Sequence, residues 1–514
     1  MLIELASSLS IRDILLSSVL FIVVVWALLN SMAWFAKRPR NISLVGNGII
    51  CGRWLSVLDY ILNANSIIME AYQKSGGRLF TIIALRNYQV LISSPEHIRE
   101  VGQAPEHVLS FNAAIKDRLE HSAIMLGFRH DDEFDLDGAV TVRAVKILLR
   151  ESLPNLAAVV KQRFVESFAT HLDQPLSTQN YTTVSVLAFT KAVLVRPCTQ
   201  ILYGDELAVD SEFNRVVLGY WWDSAYGSAI CELLPKSIAA LIGSCFMAWR
   251  GSMAELGKRL EVLVQERLAV AEDARGDNYT DLAQFVIQAS RSPGQRNPTR
   301  LRQILIAMTF VFAHQPPMVL IKLAKNPKYI ELLRNEIAAA KRHGHGDMLN
   351  HLPLIESVFR ESCRIHPLDS LTVQRKVMKR FVFSDGTVLP VGTLIAVPQQ
   401  AMMQDARYYS DPHEFIPERF NGRSSSGDVV HKWTDVNHEF VFWGSRAKPC
   451  PGRWTASHLL KEFLVHFLER YDFVRVNPDD CESVRWTTAV VPKDGVKIKI
   501  WRRKTNGDKI RDPR

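Results

Sequence analysis

The hydrophobic pattern of the chain begins with a long apolar stretch near the N-terminus. Residues 14–35 read ILLSSVLFIVVVWALLNSMAWF, which is 22 residues without a charged side chain. A helix needs about 20 such residues to cross the apolar core of a bilayer. A cleaved signal peptide has a shorter apolar region, of about 7–15 residues, behind a basic flank, whereas the flank at residues 1–13 carries charges of both signs. The pattern therefore favours a retained transmembrane anchor over residues 14–36.

Basic residues follow the apolar stretch directly. Lys37, Arg38 and Arg40 open a short linker at residues 37–50, which also contains proline and glycine. An excess of Lys and Arg next to a membrane span marks its cytoplasmic side. We therefore expect a single span, with residues 51–514 forming one folded domain in the cytoplasm.

Beyond the linker, the pattern is mainly helical, with shorter regions of β character. Residues 139–168 carry apolar side chains at helical spacing, and Leu460, Phe463 and Leu464 begin a second clear apolar helix face. Residues 77–94 contain two short apolar runs separated by an Arg-Asn pair, which is typical of a β-hairpin. The pattern predicts a mainly α protein with a smaller β-rich part.

Composition adds limits on the class of protein. The chain has 514 residues, of which 47% are hydrophobic and 22% are charged, as in a globular protein with a large core. The formal net charge of +9 is not concentrated in long runs of Lys and Arg, which argues against nucleic acid as a partner. The seven cysteines are odd in number and scattered, so they do not indicate a disulfide framework and suit a reducing compartment.

One cysteine lies in a sequence that suits cofactor chemistry. Residues 442–453 read FWGSRAKPCPGR, so Cys450 stands between two prolines, just before an apolar helix. The positive end of a helix dipole favours a thiolate at this position. Pro451 has no N–H, so backbone donors to the sulfur must come from Gly452 or later, and Gly452 lets a flat cofactor approach closely. A buried, inert cysteine is the alternative, whereas zinc is disfavoured because no C-x-x-C partner is nearby.

This loop resembles the cysteine loop of the cytochrome P450 family, and most closely its Cys-Pro-Gly-Arg version in fungal members. The resemblance implies haem, iron protoporphyrin IX, as the cofactor and Cys450 as the axial thiolate ligand of its iron. The further cofactor-binding residues that it implies in this loop are Trp443, Gly444, Lys448 and Gly452. The sequence departs from the family at Trp443 and Arg446, where Phe and Gly are usual, and at Lys448, where Arg or His usually meets a haem propionate. Lys448 can still pair with a propionate as a point charge.

Two further motifs support the same resemblance. Glu361 and Arg364 are three residues apart and share one face of a predicted helix, which ends in a His-Pro pair. A Pro-Glu-Arg-Phe sequence follows further along the chain and contains Arg419. By resemblance, Arg419 pairs with Glu361 and Arg364 in a buried structural triad that holds the loop of Cys450.

Two arginines outside these motifs are assigned to the haem by the same resemblance. Arg375 falls where the family often has an arginine that binds a propionate. Arg143 shares one face of the predicted helix at residues 139–168 with Lys146 and Arg150. In the family, a helix here runs along the proximal side of the haem and helps to dock a reductase, so Arg143 is expected at the cofactor. A solvated helix face is the alternative.

The segment expected on the oxygen side of the haem departs from the family. The central helix of the family usually carries an acid, or His in many fungal members, followed by a Thr that relays protons during oxygen activation. His314 matches this pattern, but Gln315 stands where Thr is expected, and Pro316 and Pro317 follow. The prolines remove two N–H donors and should break or kink the helix. The Gln315 amide can donate and accept hydrogen bonds, so it could orient oxygen or a water molecule. His314, by its match to the family, and Gln315 are therefore the candidate catalytic residues.

The resemblance covers nearly the whole chain. It implies a mainly α cytochrome P450 fold with a smaller β-rich subdomain, preceded by one transmembrane helix. The implied function is a haem-thiolate monooxygenase that hydroxylates, or oxidises in several steps, a hydrophobic secondary-metabolite precursor such as a terpenoid or meroterpenoid. It would use O2 and electrons that NADPH–cytochrome P450 reductase delivers. The implied location is the endoplasmic reticulum membrane, with residues 51–514 as the cytoplasmic haem-thiolate domain.

Alternatives to this function stay open at the level of sequence. The altered oxygen-side segment also suits a haem-thiolate enzyme that catalyses rearrangement or peroxide-dependent oxidation, which depend less on the missing Thr. A non-catalytic haem-binding membrane protein would have the same ligand at Cys450 but no electron partner. A damaged chain with little activity is the remaining alternative.

Overall fold

The computed structural model describes residues 39, 41–45, 52–129, 139–172, 181–272, 279–311, 317–342, 348–422 and 431–503. The predicted anchor at residues 14–36 and the candidate residues His314 and Gln315 lie outside these ranges. In the part of the chain that is described, no helix combines the length and apolar character that crossing a membrane requires.

Helices make up most of the described chain. They are α1 Gly52–Ser75, α2 Pro95–Gln103, α3 Phe111–Leu119, α4 His121–Ile124, α5 Ala139–Arg143, α6 Arg150–Leu172, α7 Val186–Tyr203, α8 Asp205–Val209, α9 Ser211–Leu233, α10 Lys236–Arg250, α11 Ser252–Glu272, α12 Leu282–Ala289, α13 Pro298–Val311, α14 Pro317–Lys325, α15 Lys328–Arg342, α16 Pro353–Ile365, α17 Gln399–Met403 and α18 Arg453–Arg470. A π-helix at Ala144–Leu149 joins α5 to α6, and short 3-10 helices lie at Met348–His351 and Pro417–Arg419.

Short strands form the smaller part of the fold. They are β1 Ser43–Val45, β2 Phe80–Ile83, β3 Tyr88–Leu91, β4 Leu109–Ser110, β5 Thr182–Ser185, β6 Thr372–Val377, β7 Phe381–Val382, β8 Val388–Leu389, β9 Leu394–Val397, β10 Tyr471–Arg475, β11 Ser483–Trp486, β12 Ala489–Pro492 and β13 Lys497–Arg502. The largest sheet has the order β1-β2-β3-β9-β6-β4, and a second has the order β10-β13-β5. The pairs β7-β8 and β11-β12 form two further ladders.

The expected mainly α fold with a smaller β part is confirmed. The predicted hairpin forms as β2 and β3, with Phe80 opposite Leu91. The helix predicted at residues 139–168 also forms, but a π-helical segment interrupts it. Pro154 lies one turn into α6 and lacks the N–H that would bond the carbonyl of Arg150, the residue at which the π-helix gives way to α-helix.

The main hydrophobic core fixes the helix that follows the cysteine loop. Rings from α6, α18 and β10 pack together, with centroids 5.5 Å apart for Phe168 and Phe463 and 5.8 Å apart for Phe168 and Tyr471. Phe463 and Phe467 are stacked one turn apart on α18. Because this face of α18 is fully buried, the N-terminus of the helix has a fixed position beside Cys450.

The helix that carries two triad residues is also held at its start. The first residue of α16 is Pro353, which suits a position whose N–H has no helical acceptor. The next two N–H groups, of Leu354 and Ile355, donate to the carboxylate of Glu336 on α15 at 2.7 and 3.1 Å. This contact satisfies free donors of the first turn and anchors α16 to α15.

Candidate functional site

The cysteine loop is a tight, hairpin-like turn that ends at Cys450. Gly444 and Pro449 form an isolated antiparallel bridge, and the Cys450 N–H donates to the Trp443 carbonyl at 2.7 Å. Gly444 has a φ of +99°, and a Cβ built on it would lie 3.0 Å from the Lys448 carbonyl oxygen. Both facts require glycine at this position. The hydrogen bonds of the loop therefore fix the backbone of Cys450 just before the start of α18.

The surroundings of the Cys450 sulfur suit a metal-bound thiolate. Burial raises the pKa of the Cys450 thiol, while the N–H groups of Gly452 and Arg453 and the Arg453 guanidinium act in the opposite direction. Donors from Gly452 onward are what the sequence predicts, since Pro451 has none. A coordinated metal ion removes the proton from a thiol, and the two N–H groups can then stabilise the negative sulfur.

Trp443 ties the loop to the protein core. Its indole Nε1 donates to the Trp433 carbonyl at 2.7 Å, and its ring meets the ring of Phe442 edge to face with centroids 4.9 Å apart. The residue is only 8% exposed. Gly452 lies against Val145, whose Cγ1 would be 3.8 Å from an added Cβ, an ordinary van der Waals distance. Protein crowding therefore does not itself explain the glycine at 452.

Lys448 of the cysteine loop and Arg375 on β6 are two cations that lie close enough to affect each other. Arg375 is 4% exposed, its Nε has no hydrogen-bond partner among the described residues, and its Nη1 donates to the adjacent Gln374 carbonyl at 2.7 Å. Lys448 Nζ donates to the Ala104 carbonyl at 2.6 Å. Burial lowers the pKa of Arg375, with Glu106 opposing, and burial together with Arg375 lowers the pKa of Lys448.

This arrangement fits the carboxylates of a haem. A buried guanidinium without an anionic partner at hydrogen-bonding distance is costly, and a propionate would supply that partner. Lys448 is close enough to Arg375 for the guanidinium to lower its pKa, so it would provide a second positive charge for the propionates. The residues present therefore fit both ends of the cofactor, with a thiolate for the iron and cations for the propionates.

Arg143 makes a different contact from the one expected. Its Nη2 donates to the Ala289 carbonyl at 2.6 Å, so it binds the C-terminal end of α12. A cation at a helix C-terminus is favourable because the carbonyl ends carry partial negative charge. Lys146 and Arg150 on the same helical segment are exposed. A role of Arg143 at the cofactor stays a prediction.

The structure brings Glu361, Arg364 and Arg419 together. Arg364 donates to both oxygens of Glu361, from Nε at 2.7 Å and from Nη2 at 2.9 Å. Arg419 Nε lies 3.3 Å from Glu361 Oε1, and the Ile416 N–H donates to the same oxygen at 2.9 Å. The side chains of Glu361 and Arg364 are completely buried. The carboxylate therefore has two cations and a backbone donor around it.

The triad holds a long stretch of irregular backbone. Arg364 Nη1 donates to the carbonyls of Met403 and Pro412 at 2.7 and 2.6 Å, and its Nη2 reaches the Glu414 carbonyl at 3.1 Å. Arg419 Nη2 donates to the Asp411 carbonyl at 2.7 Å. Because these carbonyls lie at the end of α17 and in the irregular backbone that follows it, the arginines fix the path of the chain from Met403 to Glu414.

Sequence reasoning missed a second buried ion pair beside the loop. Lys461 Nζ on α18 lies 2.7 Å from Glu356 Oε1 on α16, and the Trp433 N–H donates to the other Glu356 oxygen at 2.6 Å. Both charged side chains are about 95% buried. A charged residue within the apolar stretch of each helix was the signal in the sequence that could have indicated a buried charge. The sequence does not show which two residues pair, because Glu356 and Lys461 are 105 positions apart.

Two helices are described on either side of the oxygen-side segment, whose residues 312–316 lie outside the described ranges. α13 ends at Val311, and α14 begins at Pro317. Near that end, the indole Nε1 of Trp221 on α9 donates to the Thr309 carbonyl at 2.9 Å. The hydroxyls of Tyr203 and Thr309 also hydrogen-bond, and Thr309 is fully buried. Thr309 is therefore a core residue that joins three helices.

Comparison with known proteins identifies relatives over most of the chain. The family model described as Cytochrome P450 matches residues 47–500. Cytochrome P450 monooxygenase 71 of Postia placenta is 24% identical over 87% of this chain and 91% of that protein. Cytochrome P450 monooxygenase paxQ of Penicillium paxilli is 24% identical over 88% of this chain and 90% of that protein. Cytochrome P450 monooxygenase ausG of Emericella nidulans is 29% identical over 54% of this chain and 55% of that protein.

A solved structure shares the fold. Retinoic acid-bound cyanobacterial CYP120A1 matches with a TM-score of 0.63 and 17% sequence identity, over 90% of this chain and 99% of that chain. At this identity, the likeness concerns the fold alone. The shared fold agrees with the arrangement of helices and sheets described above.

Proposed function

Since this chain belongs to the cytochrome P450 family, it is a haem-thiolate monooxygenase, and we propose that its substrate is a hydrophobic secondary-metabolite precursor of the terpenoid or meroterpenoid class. The support for this class is similarity to fungal cytochrome P450 monooxygenases over most of the chain. The observation that carries the site assignment is the loop that fixes Cys450 before α18, together with the buried, incompletely partnered guanidinium of Arg375.

The residues of the site have separate roles in this proposal. When bound, haem supplies the activation of dioxygen and the insertion of one oxygen atom into a C–H bond. Cys450 would hold the iron as a thiolate, and the N–H groups of Gly452 and Arg453 would stabilise its charge. Arg375 and Lys448 would bind the propionates and so fix the orientation of the ring.

The electron donor and the location follow from separate features. Cytochrome P450 enzymes receive electrons from redox partners, and we assign this role to NADPH–cytochrome P450 reductase. The exposed side chains of Lys146 and Arg150, on the helical segment that contacts the start of α18, support docking of an acidic partner. The uncharged residues 14–35 and the basic residues behind them support an anchor in the endoplasmic reticulum membrane.

A spectrum and a product assay test the function together. The full chain, in membranes from cells that also express the reductase, is reduced in the presence of carbon monoxide. We expect the red-shifted Soret band of a thiolate-ligated haem, and we expect Cys450→Ala to abolish it, whereas the exposed Cys245→Ala should leave it intact. NADPH and a panel of terpenoids should then give an oxygenated product. An intact band with no product from any apolar substrate would contradict the proposed activity.

The oxygen-side sequence favours one alternative that deserves a parallel assay. Gln315 cannot relay protons as a Thr hydroxyl does, so the enzyme could depend on peroxide as the oxygen donor. The same membranes are therefore supplied with hydrogen peroxide in place of NADPH. Faster product formation with peroxide than with NADPH and reductase would favour the alternative over the reductase-dependent reaction.

A further inference from the structure

One arginine stands where the dipole of its own helix disfavours a positive charge. Arg453 is the first residue of α18, directly after Gly452, which has no side chain to cap the helix. The N-terminal end of a helix carries partial positive charge, so a cation in the first turn is unfavourable. A negative group close to Arg453 would offset this cost.

Two backbone carbonyls hold the guanidinium of Arg453. Its Nη1 donates to the Cys450 carbonyl at 2.9 Å, and its Nε donates to the Thr434 carbonyl at 3.1 Å. Within the described part of the chain, no carboxylate forms an ion pair with it, although Asp435 attracts it from a longer distance. The contacts therefore fix the position of the positive charge but do not neutralise it.

The sulfur of Cys450 is the group on which this charge acts. Burial raises the pKa of the Cys450 thiol, and the Arg453 guanidinium opposes that increase together with two backbone N–H groups. In turn, the Cys450 thiolate attracts the guanidinium more strongly than Asp435 does. The positive charge of Arg453 therefore lies close enough to affect the atom that we assign to the iron.

An indole covers the same guanidinium. The Cζ atom of Arg453 lies 3.4 Å from the ring centroid of Trp454, and the Cζ atom of Arg150 lies 3.8 Å from the same centroid. Two guanidinium groups this close to the centroid would overlap on one face, so the indole lies between them. A cation over the face of an indole is stabilised, and the more so where water is excluded. We refer to Arg150, Trp454 and Arg453 as the Trp454 stack.

The two arginines of the Trp454 stack have different surroundings. Arg150 directly follows the π-helix and is exposed, whereas Arg453 is partly buried between the indole and the backbone of the cysteine loop. Water and salt therefore screen the charge of Arg150 strongly and the charge of Arg453 much less. The stack keeps one cation beside the sulfur and shields it from solvent.

We propose that Arg453 sets the reduction potential of the haem iron, as a positioning residue that Trp454 holds beside the Cys450 thiolate. One electron from the reductase converts ferric to ferrous iron and adds one negative charge to the iron and its ligands, so a nearby cation favours the reduced form. The carbonyl contacts fix the distance of this cation from the sulfur, and the indole limits its screening by water. This inference rests on the proposed function, because Cys450 must be the ligand of the iron.

A redox titration measures the effect of the charge. The full chain with bound haem, purified in detergent, is titrated with dithionite in the presence of mediator dyes, and absorption reports the ferric and ferrous forms. At the potential where the wild-type protein is half reduced, the ratio of ferrous to ferric haem should be roughly tenfold lower in Arg453→Gln, which corresponds to a potential about 59 mV lower. Arg453→Lys retains a positive charge, so its ratio should stay within about twofold of wild type.

A second variant tests the cover that the indole provides. Trp454→Leu keeps both arginines but lets water reach Arg453, so the ratio should fall roughly threefold at low salt and further at high salt, whereas the wild-type ratio should respond less to salt. Arg470→Gln is the matched control, because it removes an exposed arginine from the last position of the same helix. It should leave the ratio unchanged.

The outcomes distinguish failure of this inference from failure of the proposed function. The spectrum of the reduced protein with carbon monoxide reports whether each protein holds a thiolate-ligated haem. If wild type lacks the red-shifted band, both are overturned. If the band is normal but Arg453→Gln has the wild-type ratio, or Arg453→Lys has a ratio as low as Arg453→Gln, the charge of Arg453 does not set the potential and the function stands. If Arg453→Gln does not hold haem, a wild-type ratio in Trp454→Leu at every salt concentration overturns the inference.

Discussion

At the scale of single residues, Arg375 offers a test that separates cofactor binding from folding. Removing its buried charge should raise, or leave unchanged, the free energy of unfolding of the haem-free protein, because burial disfavours the charged form. Haem loss should become roughly tenfold faster in Arg375→Leu, because a charge-assisted hydrogen bond to a propionate is gone. Urea unfolding of the haem-free protein and transfer of haem to an acceptor globin measure the two quantities.

The matched control for this variant is Arg380→Leu, since Arg380 follows the same strand but is exposed. It should change neither quantity. Equal rates of haem loss in Arg375→Leu and wild type would exclude Arg375 as a propionate ligand. A large loss of stability in the haem-free variant would show instead that the guanidinium supports the fold.

Glu361 is the residue on which the triad depends. Glu361→Ala leaves the buried guanidinium of Arg364 and that of Arg419 without their carboxylate, so the free energy of unfolding should fall by about 3–5 kcal/mol. The exposed pair of Arg215 and Glu212 provides the comparison, because Glu212→Ala should cost at most about 1 kcal/mol. Urea midpoints followed by tryptophan fluorescence measure both. A similar small loss in the two variants would mean that the triad is not a major source of stability.

The residues that the sequence could predict are those whose motifs are local. Cys450 and its flanking prolines, and the i, i+3 pair of Glu361 and Arg364, can be recognised because each occupies a few consecutive positions. The contact of Arg143 with the end of α12 could not, because it depends on how two helices pack. The same holds for Lys461, whose buried partner lies on another helix.

At the scale of elements, one side-chain hydrogen bond joins α9 to α13 near the described end of α13. The acceptor is the carbonyl of Thr309, a fully buried residue. The buried indole of Trp221 supplies a donor at 2.9 Å. Trp221→Phe should therefore lower the free energy of unfolding by about 1–3 kcal/mol, the cost of a buried polar group left without its partner.

Trp222→Phe is the control, because the neighbouring indole is only half-buried. Thermal unfolding of the two variants and of the wild-type protein gives the two costs. Equal costs of Trp221→Phe and Trp222→Phe would contradict a specific contribution of the hydrogen bond from the Trp221 indole.

The elements that the pattern predicted well are those with strong local signals. The β2–β3 hairpin has two apolar runs around a polar pair, and the helix at residues 139–168 has a clear apolar face. The π-helix at Ala144–Leu149 was not predicted, because apolar spacing over so short a segment does not separate π from α geometry. A helix was expected at the position of α13, and the structure describes it as far as Val311.

At the scale of the whole molecule, the sheet of β10, β13 and β5 shows where reasoning from sequence stops. β5 has four residues, is partly exposed, and pairs with β13 so that Val184 lies opposite Ile498. The segment of β13 alternates Lys and Ile, but β5 has no such alternation, and more than 300 residues separate the two. Such a pairing is decided by the packing of the intervening helices, which bring the two segments together at little further entropic cost.

The anchor is the whole-molecule prediction that the described residues do not reach. A chain that lacks residues 1–36 should be released from membranes by alkaline carbonate, whereas the full chain should stay in the pellet, because 22 uncharged residues bury far more apolar surface in lipid than a peripheral contact does. Deletion of residues 1–13 alone is the control and should not release the protein. Since the catalytic domain would keep Cys450 and its loop, the released protein should retain the carbon monoxide spectrum, so a loss of membrane association cannot be attributed to unfolding. Full release of the intact chain by carbonate would show that residues 14–36 do not span the bilayer.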